Sequence, residues 1–505
     1  MATKPSAAKK SAAERAAKET AAHFDFHGIE PVKVEDRDST PIQQFWIWVG
    51  SNTAPINWIL GALGIAFGLS FIQTIVVIIV GNIVGCTIFG LCAVMGHRTG
   101  VNQLTLSRLA FGRRGAYLPA AMQLLATIGW TGVYTWLVLD LTLGILDQLG
   151  VHGSTGLKYG LAIGIMIIQL AIAFWGFYLI RSFEKYTVPV AAAIFAVMTV
   201  LAIVHTGIDF NTSKVHGGSE TFTAITQLMT AIGIGWSISW VTWGSDYTRF
   251  VKPRYRDKSV VLSTALGMFV PTVWLAALGA AVASSGSSTD PAQLVVDVFG
   301  VMSIPVLIAV LHGTIGNNII NLYSSSMSLL SLDAKIARWK TTLAVGVVAM
   351  GVVIWFIASS NFAQSFNEWI TSLVVWLSPW AAITLVDYLG FRRGKVDVSE
   401  LYRPTSRKLL PDINVPGIIA FVVGIAAGWS FEYGLVPAFQ GPIAKSTGNV
   451  DLSWLFGGVV AGLLYFVLCK AMGRAPKPAA TPAVEDSATE IHTTKEIARV
   501  GSREA

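Results

Sequence analysis

Three asparagines fall within five residues of one apolar stretch, Asn317, Asn318 and Asn321 of LHGTIGNNIINLYSSS, and His312 precedes them by one to two helical turns. Each Asn carries both a donor and an acceptor. On a helix Asn317 and Asn321 share a face, and so do Asn318 and Asn321. Other apolar stretches hold Trp130 (in ATIGWTGVYTW), Trp236 and Trp240 (in AIGIGWSISWVTWGSD) and Asn57 (in GSNTAPINW). An indole face can stack on a flat ring, worth roughly 1–3 kcal/mol per base in nucleic-acid binders. Amide edges and indole faces together suit a flat, neutral, polar heterocycle better than a sugar or an amino acid. Plainer readings stand beside this one. A lone Asn is interhelical glue worth on average about 0.6 kcal/mol, and a lone Trp packs. Three clustered Asn exceed what glue requires. For Trp130, packing and stacking stand level. For His312, the side chain type that titrates nearest neutrality, a structural role and a proton-carrying role stand level too.

The elements that must position these groups are membrane helices. Hydrophobic residues make up 53% of 505 and charged residues 13%, where a soluble domain carries roughly a quarter. Twelve stretches are long enough to cross a bilayer, which takes about 20 helical residues. They run roughly 45–68, 71–95, 117–145, 157–180, 186–206, 222–247, 260–285, 299–330, 341–359, 366–389, 414–432 and 451–471. Threaded this way, 33 of the 36 Lys and Arg fall on one side, and only Lys158, Lys214 and Lys445 on the other. The positive-inside rule then makes both termini cytoplasmic. The net charge of +7 belongs to loops and tails beside anionic lipid, not to a nucleic-acid face. Residues 1–40 show no signal peptide, and both polar tails are expected to be mobile. Cys86, Cys92 and Cys469 lie in apolar stretches and are expected as free thiols.

Two spans are interrupted: the first by Pro55, with Asn52 and Asn57 around it, and the sixth by Gly233 and Gly235. They are five spans apart. Broken helices at matching places in two halves point to an inverted-repeat secondary transporter with a midplane site. The expected organisation is a tail (1–44), a first repeat of spans 1–5 (45–206), a second of spans 6–10 (222–389), spans 11–12 (414–471) and a second tail (472–505). Taken singly, the glycines have a bland reading, since Gly64/Gly68 and Gly81/Gly85 have helix-packing spacing. Among acids, Asp140 stands about 15 Å outward of Trp130 on span 3 and is either a functional carboxylate or the lining of an outer vestibule. Asp246, three residues before Arg249, reads as half of a helix-end ion pair. No HExxH, Walker A or paired CxxC occurs, so no enzyme and no metal site is expected. A channel would show repeated pore helices or a charged ring, and neither is evident.

Several motifs resemble the nucleobase:cation symporter-1 family, in its purine-cytosine permease branch. GHRTGVNQLTLSRLAFGRRGAYLPA (96–120) resembles the signature loop between spans 2 and 3. The IGW ending in Trp130, SDYTRF (245–250), NNIINLYSSSMSL (317–329) and VDYLGFRRG (386–394) are similar to the family's spans 3, 6, 8 and 10. The resemblance covers roughly residues 40–470. It implies an all-α membrane protein of twelve helices with a five-plus-five inverted-repeat, LeuT-like core, importing a nucleobase with H⁺ or Na⁺. Trp130 would stack on one ring face and Trp236 or Trp240 would supply the other. Asn318 and Asn321 would bind the ring edge with Asn317 nearby, and the span 1 break, Ser51 to Asn57, would add a polar group. Two departures matter. Tyr134 stands where members often carry an amide four residues after the stacking Trp, which puts the substrate in question. Gly313 and His312 stand where sodium-coupled members have hydroxyls, so proton coupling through His312, with Asp140 as second candidate, is expected over Na⁺. The expected partners are a nucleobase and the lipid bilayer of the plasma membrane. No cofactor beyond the co-transported ion, no nucleic acid and no obligate protein partner is expected. Another heterocycle, such as allantoin, a hydantoin or a thiamine-like compound, is the alternative cargo.

Overall fold

A computed structural model describes residues 28–175, 177–205, 207–286, 296, 300–358, 362–402, 410–434 and 440–479. Most of both tails, and so the mobility expected of them, lies outside the described residues. Helices occupy all twelve stretches read as spans. Among the described residues nine helices are long and apolar enough to cross a membrane, and shorter apolar helices run Ile56–Ala66, Val188–Val204 and Val415–Ser430.

Span 1 is two helices. Span 1a (Pro41–Asn52) starts from a capping box in which Thr40 and Gln43 satisfy each other's backbone amides. Span 1b (Pro55–Ala66) starts with Pro55 in its first turn, where the missing N–H is no loss. Pro55 therefore begins a new helix rather than kinking an old one. Span 2 (Phe71–Thr99) has a second capping box, Ser70 with Gln73, and stops at Gly100, whose φ of 73° ends the helix. Span 6 is more broken than its glycines alone suggest. A helix over Gly218–Leu228 passes into a π-turn over Met229–Gly233, then short helices over Gly235–Ser239 and Gly244–Thr248.

Packing divides the helices into sets. Span 7 (Asp257–Ser284) lies on spans 1a, 1b and 2, and span 2 lies on span 6. Span 8 (Ser303–Ser331) lies on spans 3 (Tyr117–Gln148), 4 (Thr155–Trp175), 5 (Phe177–His205) and 9 (Arg338–Ala358). Span 10 (Phe362–Leu385) packs with spans 11 and 12. Gly81 and Gly85 of span 2 do form a packing face: an added Cβ would meet Gly233 at the first and Ser237 at the second. Both glycines thus touch the span 6 break. Span 11 ends at Ser430 and span 12 begins at Ser453, so Glu432 and Asp451 lie beyond the helices, at the edges of the ranges read from hydropathy. Cys86, Cys92 and Cys469 are buried free thiols.

Candidate functional site

The two breaks meet across one hydrogen bond. At the end of span 1a, Asn52 donates to the Trp48 carbonyl (2.9 Å), while its Oδ1 accepts from Trp236 Nε1 (2.7 Å) and Thr272 Oγ1 (3.3 Å). Asn57 reaches back across the gap and donates to the Asn52 carbonyl (2.6 Å), capping a chain end the break exposes. Its Oδ1 is buried without a partner. Span 8 closes on the same place. Gly313 lies against the Thr53 carbonyl so closely that a Cβ would overlap it. Glycine at 313, read from sequence as a missing hydroxyl, is what lets span 8 approach the span 1 break.

The Asn cluster divides in two. Asn318 donates to Thr135 Oγ1 (2.9 Å) and Thr131 O (3.3 Å) on span 3 and to Gln169 Oε1 (2.8 Å) on span 4. Asn321 donates to Thr127 O (2.8 Å) and Thr131 Oγ1 (2.7 Å). The amide N–H groups of both therefore tie span 8 to spans 3 and 4, and only their oxygens are unpaired. Asn317 differs: it is fully buried, yet neither its Nδ2 nor its Oδ1 has a hydrogen-bond partner. Four residues after Gly313, it shares the face that meets the span 1 break.

The pairs 321 with 127/131 and 318 with 131/135 set spans 3 and 8 antiparallel. Extrapolating that register puts Asn317 level with residues 132–136 of span 3, the turn that carries Tyr134. There Trp130, 4% exposed, stacks on Tyr134 with ring centroids 5.2 Å apart, and Trp236 stands edge-on to it at 6.2 Å and 86°. Tyr134 thus extends one aromatic wall instead of offering an amide. Trp240 sits behind Trp236: it packs edge-on against Trp236 (5.9 Å), Trp48 (5.7 Å) and Trp243 (4.6 Å), in a cluster that includes Phe89. The same register places half-buried His312 at the depth of residues 138–140, beside the layer of Asp140, about 9 Å from Asn318 along span 8.

Three positioning groups escaped the sequence reading. Gln169 is a single amide in an otherwise apolar span 4, which is itself a signal. Thr131 and Thr135 passed as ordinary span residues because one hydroxyl leaves little mark in hydropathy, whether it bonds within its helix, as Thr131 does to Thr127 O, or across to span 4, as Thr135 does to Gln169. Asn52 was noted only as part of the break. The signature loop also has a structural use. The Gln103 amide donates to Asp246 (3.0 Å) and Gln103 Oε1 accepts from the Ser245 amide (3.1 Å), while Arg108 reaches Asp333 (2.7 Å) and Leu401 O (2.9 Å). It locks the ends of spans 6 and 8 together. Asp246 is therefore bonded to this loop, and Arg249 donates to the Asp246 backbone carbonyl and to Tyr323. Asp387 pairs with Arg392 (2.6 Å) and accepts from Tyr465 (2.6 Å).

Two broken helices packed around one buried polar site are the architecture of secondary transporters. Residues 31–457 match the family described as permease for cytosine/purines, uracil, thiamine, allantoin. The chain belongs to that family, the nucleobase:cation symporter-1 permeases, in the purine-cytosine branch. It is 26% identical over 462 residues to YxlA of Bacillus subtilis, covering 88% of this chain and 95% of that protein. To the purine-cytosine permease FCY2 of Saccharomyces cerevisiae it is 26% identical over 481 residues, covering 88% and 86%. Its fold matches the nucleobase-cation-symport-1 transporter Mhp1, in a closed conformation with bromovinylhydantoin bound, at a TM-score of 0.74 and 22% identity, over 91% of this chain and 99% of that one.

Proposed function

We propose that this permease imports cytosine or a purine by proton-coupled symport across the plasma membrane, with both termini cytoplasmic. Its halves are the inverted repeats 45–206 and 222–389, and alternating access runs around a site at Trp130, Trp236 and Asn317. The observation that carries this reading is Asn317, a buried amide with donor and acceptor both open, level with an aromatic wall and facing a helix break. An unpaired buried amide costs roughly 1–3 kcal/mol, which a ring presenting a donor and an acceptor at its edge would offset. The base stacks on the Trp130–Tyr134 wall, Asn317 reads its edge, and the open oxygen of Asn57 adds an acceptor, while Asn318 and Asn321 hold span 8 against spans 3 and 4. His312 and Asp140, at neighbouring depth, carry the proton. Each proton contributes about 2.3 kcal/mol per 100 mV. The names of relatives support the substrate class: FCY2 is a purine-cytosine permease and an Arabidopsis thaliana relative is a purine-uracil permease.

A second reading, the same carrier with another heterocycle, is favoured by Tyr134 in the aromatic wall. A Saccharomyces cerevisiae vitamin B6 transporter, 23% identical over 393 residues, supports that breadth. The test is uptake of radiolabelled cytosine into cells lacking their own permeases, with adenine, hypoxanthine, uracil, allantoin and thiamine as competitors. Saturable uptake blocked by purines and by a protonophore is expected. Uptake that requires Na⁺ at fixed pH would refute the proton reading, and no cytosine uptake despite membrane expression would favour the second.

A further inference from the structure

Beyond spans 11 and 12, two carboxyl groups are buried together. Glu432 follows the end of span 11 and has only 2% of its surface exposed; its Oε1 has no hydrogen-bond partner. Asp451, 4% exposed, precedes span 12 and is fully engaged. Its Oδ1 accepts from Ser453 N (3.0 Å), Ser453 Oγ (2.7 Å) and Thr230 Oγ1 (3.0 Å), and its Oδ2 from Tyr433 N (2.9 Å). The connection is pinned from behind by the Phe431–Phe456 stack at 3.8 Å and by Gly441 N donating to the Glu432 carbonyl (2.8 Å). Thr230 matters most, because it lies in the π-turn just before Gly233 and Gly235. Asp451 thus grips the outer shoulder of the broken helix, and its own amide donates to Thr226 Oγ1 one turn earlier (3.2 Å).

Four hydrogen bonds suit Asp451 to be the charged partner. Tyr433 N bonds Asp451 and Leu452 N bonds the Phe431 carbonyl (3.2 Å), so Glu432 is held between them with an unpartnered oxygen; a second charge there would be both poorly solvated and repelled, and the pair keeps one proton. The other ionisable groups on neighbouring elements do not relieve this. Lys445, on the short helix Pro442–Ser446, is exposed. Glu220, in the first turn of span 6, is exposed and accepts from the His216 amide, and His216 is exposed too.

We propose that Glu432 and Asp451 form a proton-binding site that clamps the span 6 break to the connection between spans 11 and 12 while it holds its proton. Burial, and then the neighbouring Asp451 charge, push the Glu432 carboxyl up to about 9. In a conformation that wets the cluster it returns toward about 4.3. Between those values closing the clamp takes up a proton, so acid favours the clamped state, and the advantage is lost as pH rises through about 9. In transport this gives an extracellular proton a way to favour closure of the outer side. That consequence rests on the proton-coupled reading above; the linkage itself does not.

The test is hydrogen–deuterium exchange of peptides spanning 226–235 in the purified full chain at about pH 6 and about pH 10, corrected for intrinsic exchange, with infrared detection of protonated carboxyl. Wild type should lose protection by about tenfold or more at the higher pH. Glu432→Gln, a fixed mimic of the protonated form, should stay protected at both and lack one carboxyl band. Thr230→Val, which cuts the tie while leaving both acids, should exchange fast at both. An unchanged pH-dependent loss in Glu432→Gln, or no pH dependence in wild type, overturns the clamp. Should exchange respond as expected while uptake ignores a proton gradient, the clamp stands and the symport reading alone falls.

Discussion

Span 8 shows two faces made of the same residue and put to opposite uses. Toward span 3, Asn318 and Asn321 give their amide N–H groups to Thr127, Thr131, Thr135 and Gln169. Toward the span 1 break, Asn317 gives nothing and receives nothing. One face is a seam and the other a socket. Adjacency in sequence says little about function here, since one residue along a helix rotates a side chain by about 100°. What separates glue from site is whether the hydrogen-bonding capacity is already consumed.

The largest expected effect lies at the wall the socket faces. Trp130→Ala removes the stacking surface, and loss of roughly 1–3 kcal/mol corresponds to about 5- to 150-fold in affinity. Uptake should collapse while the protein still reaches the membrane; normal uptake would remove Trp130 from the site. Next comes Gly313→Ala. The new methyl lands on the Thr53 carbonyl, and forced overpacking costs about 1–3 kcal/mol. Because the clash sits between span 8 and the break, melting temperature and transport rate should fall together, and an unaffected transporter would show that the contact is not maintained during the cycle.

The comparison itself is sharpened by a pair. Asn317→Ala should raise the KM for cytosine about tenfold, one well-made hydrogen bond to a polar ring, with little change in thermal stability. Asn318→Ala should lower stability by about 0.6–1.7 kcal/mol, the range for interhelical bonds in membranes, and change KM little. The reverse pattern would exchange seam and socket.

Much of the fold was legible because its signals are coarse. Hydropathy marks the helices, and paired Pro55 and Gly233/Gly235 mark the breaks. The site was legible only to the level of a layer. Trp130 and Trp236 meet and the Asn cluster packs on span 3, but the difference between Asn317 and its two neighbours was not legible, because a resemblance transfers positions and not hydrogen-bond occupancy. Their partners Thr127, Thr131 and Thr135 were invisible to hydropathy. Gly313 read as an absent cation ligand, although its use is steric. The Glu432–Asp451 pair was hidden for another reason: the two acids stand 19 positions apart, and only the packing of residues 431–433 against 451–452 brings them together.

The smallest effect separates the two indoles that the sequence could not rank. Trp236 donates to Asn52 and stands edge-on to Trp130, so Trp236→Phe removes a buried bond that couples the two breaks. About 0.5–1.5 kcal/mol is at stake, a change of roughly two- to twelvefold in KM if the bond holds the closed site together. Trp240 meets Trp236, Trp48 and Trp243, and its Nε1 has no hydrogen-bond partner. Trp240→Phe should repack with KM changed less than about twofold and a loss confined to stability. Uptake kinetics and melting measured on both variants decide it. Equal KM changes would mean that the aromatic cluster behind the break, and not the Trp236–Asn52 bond, sets the geometry of the site.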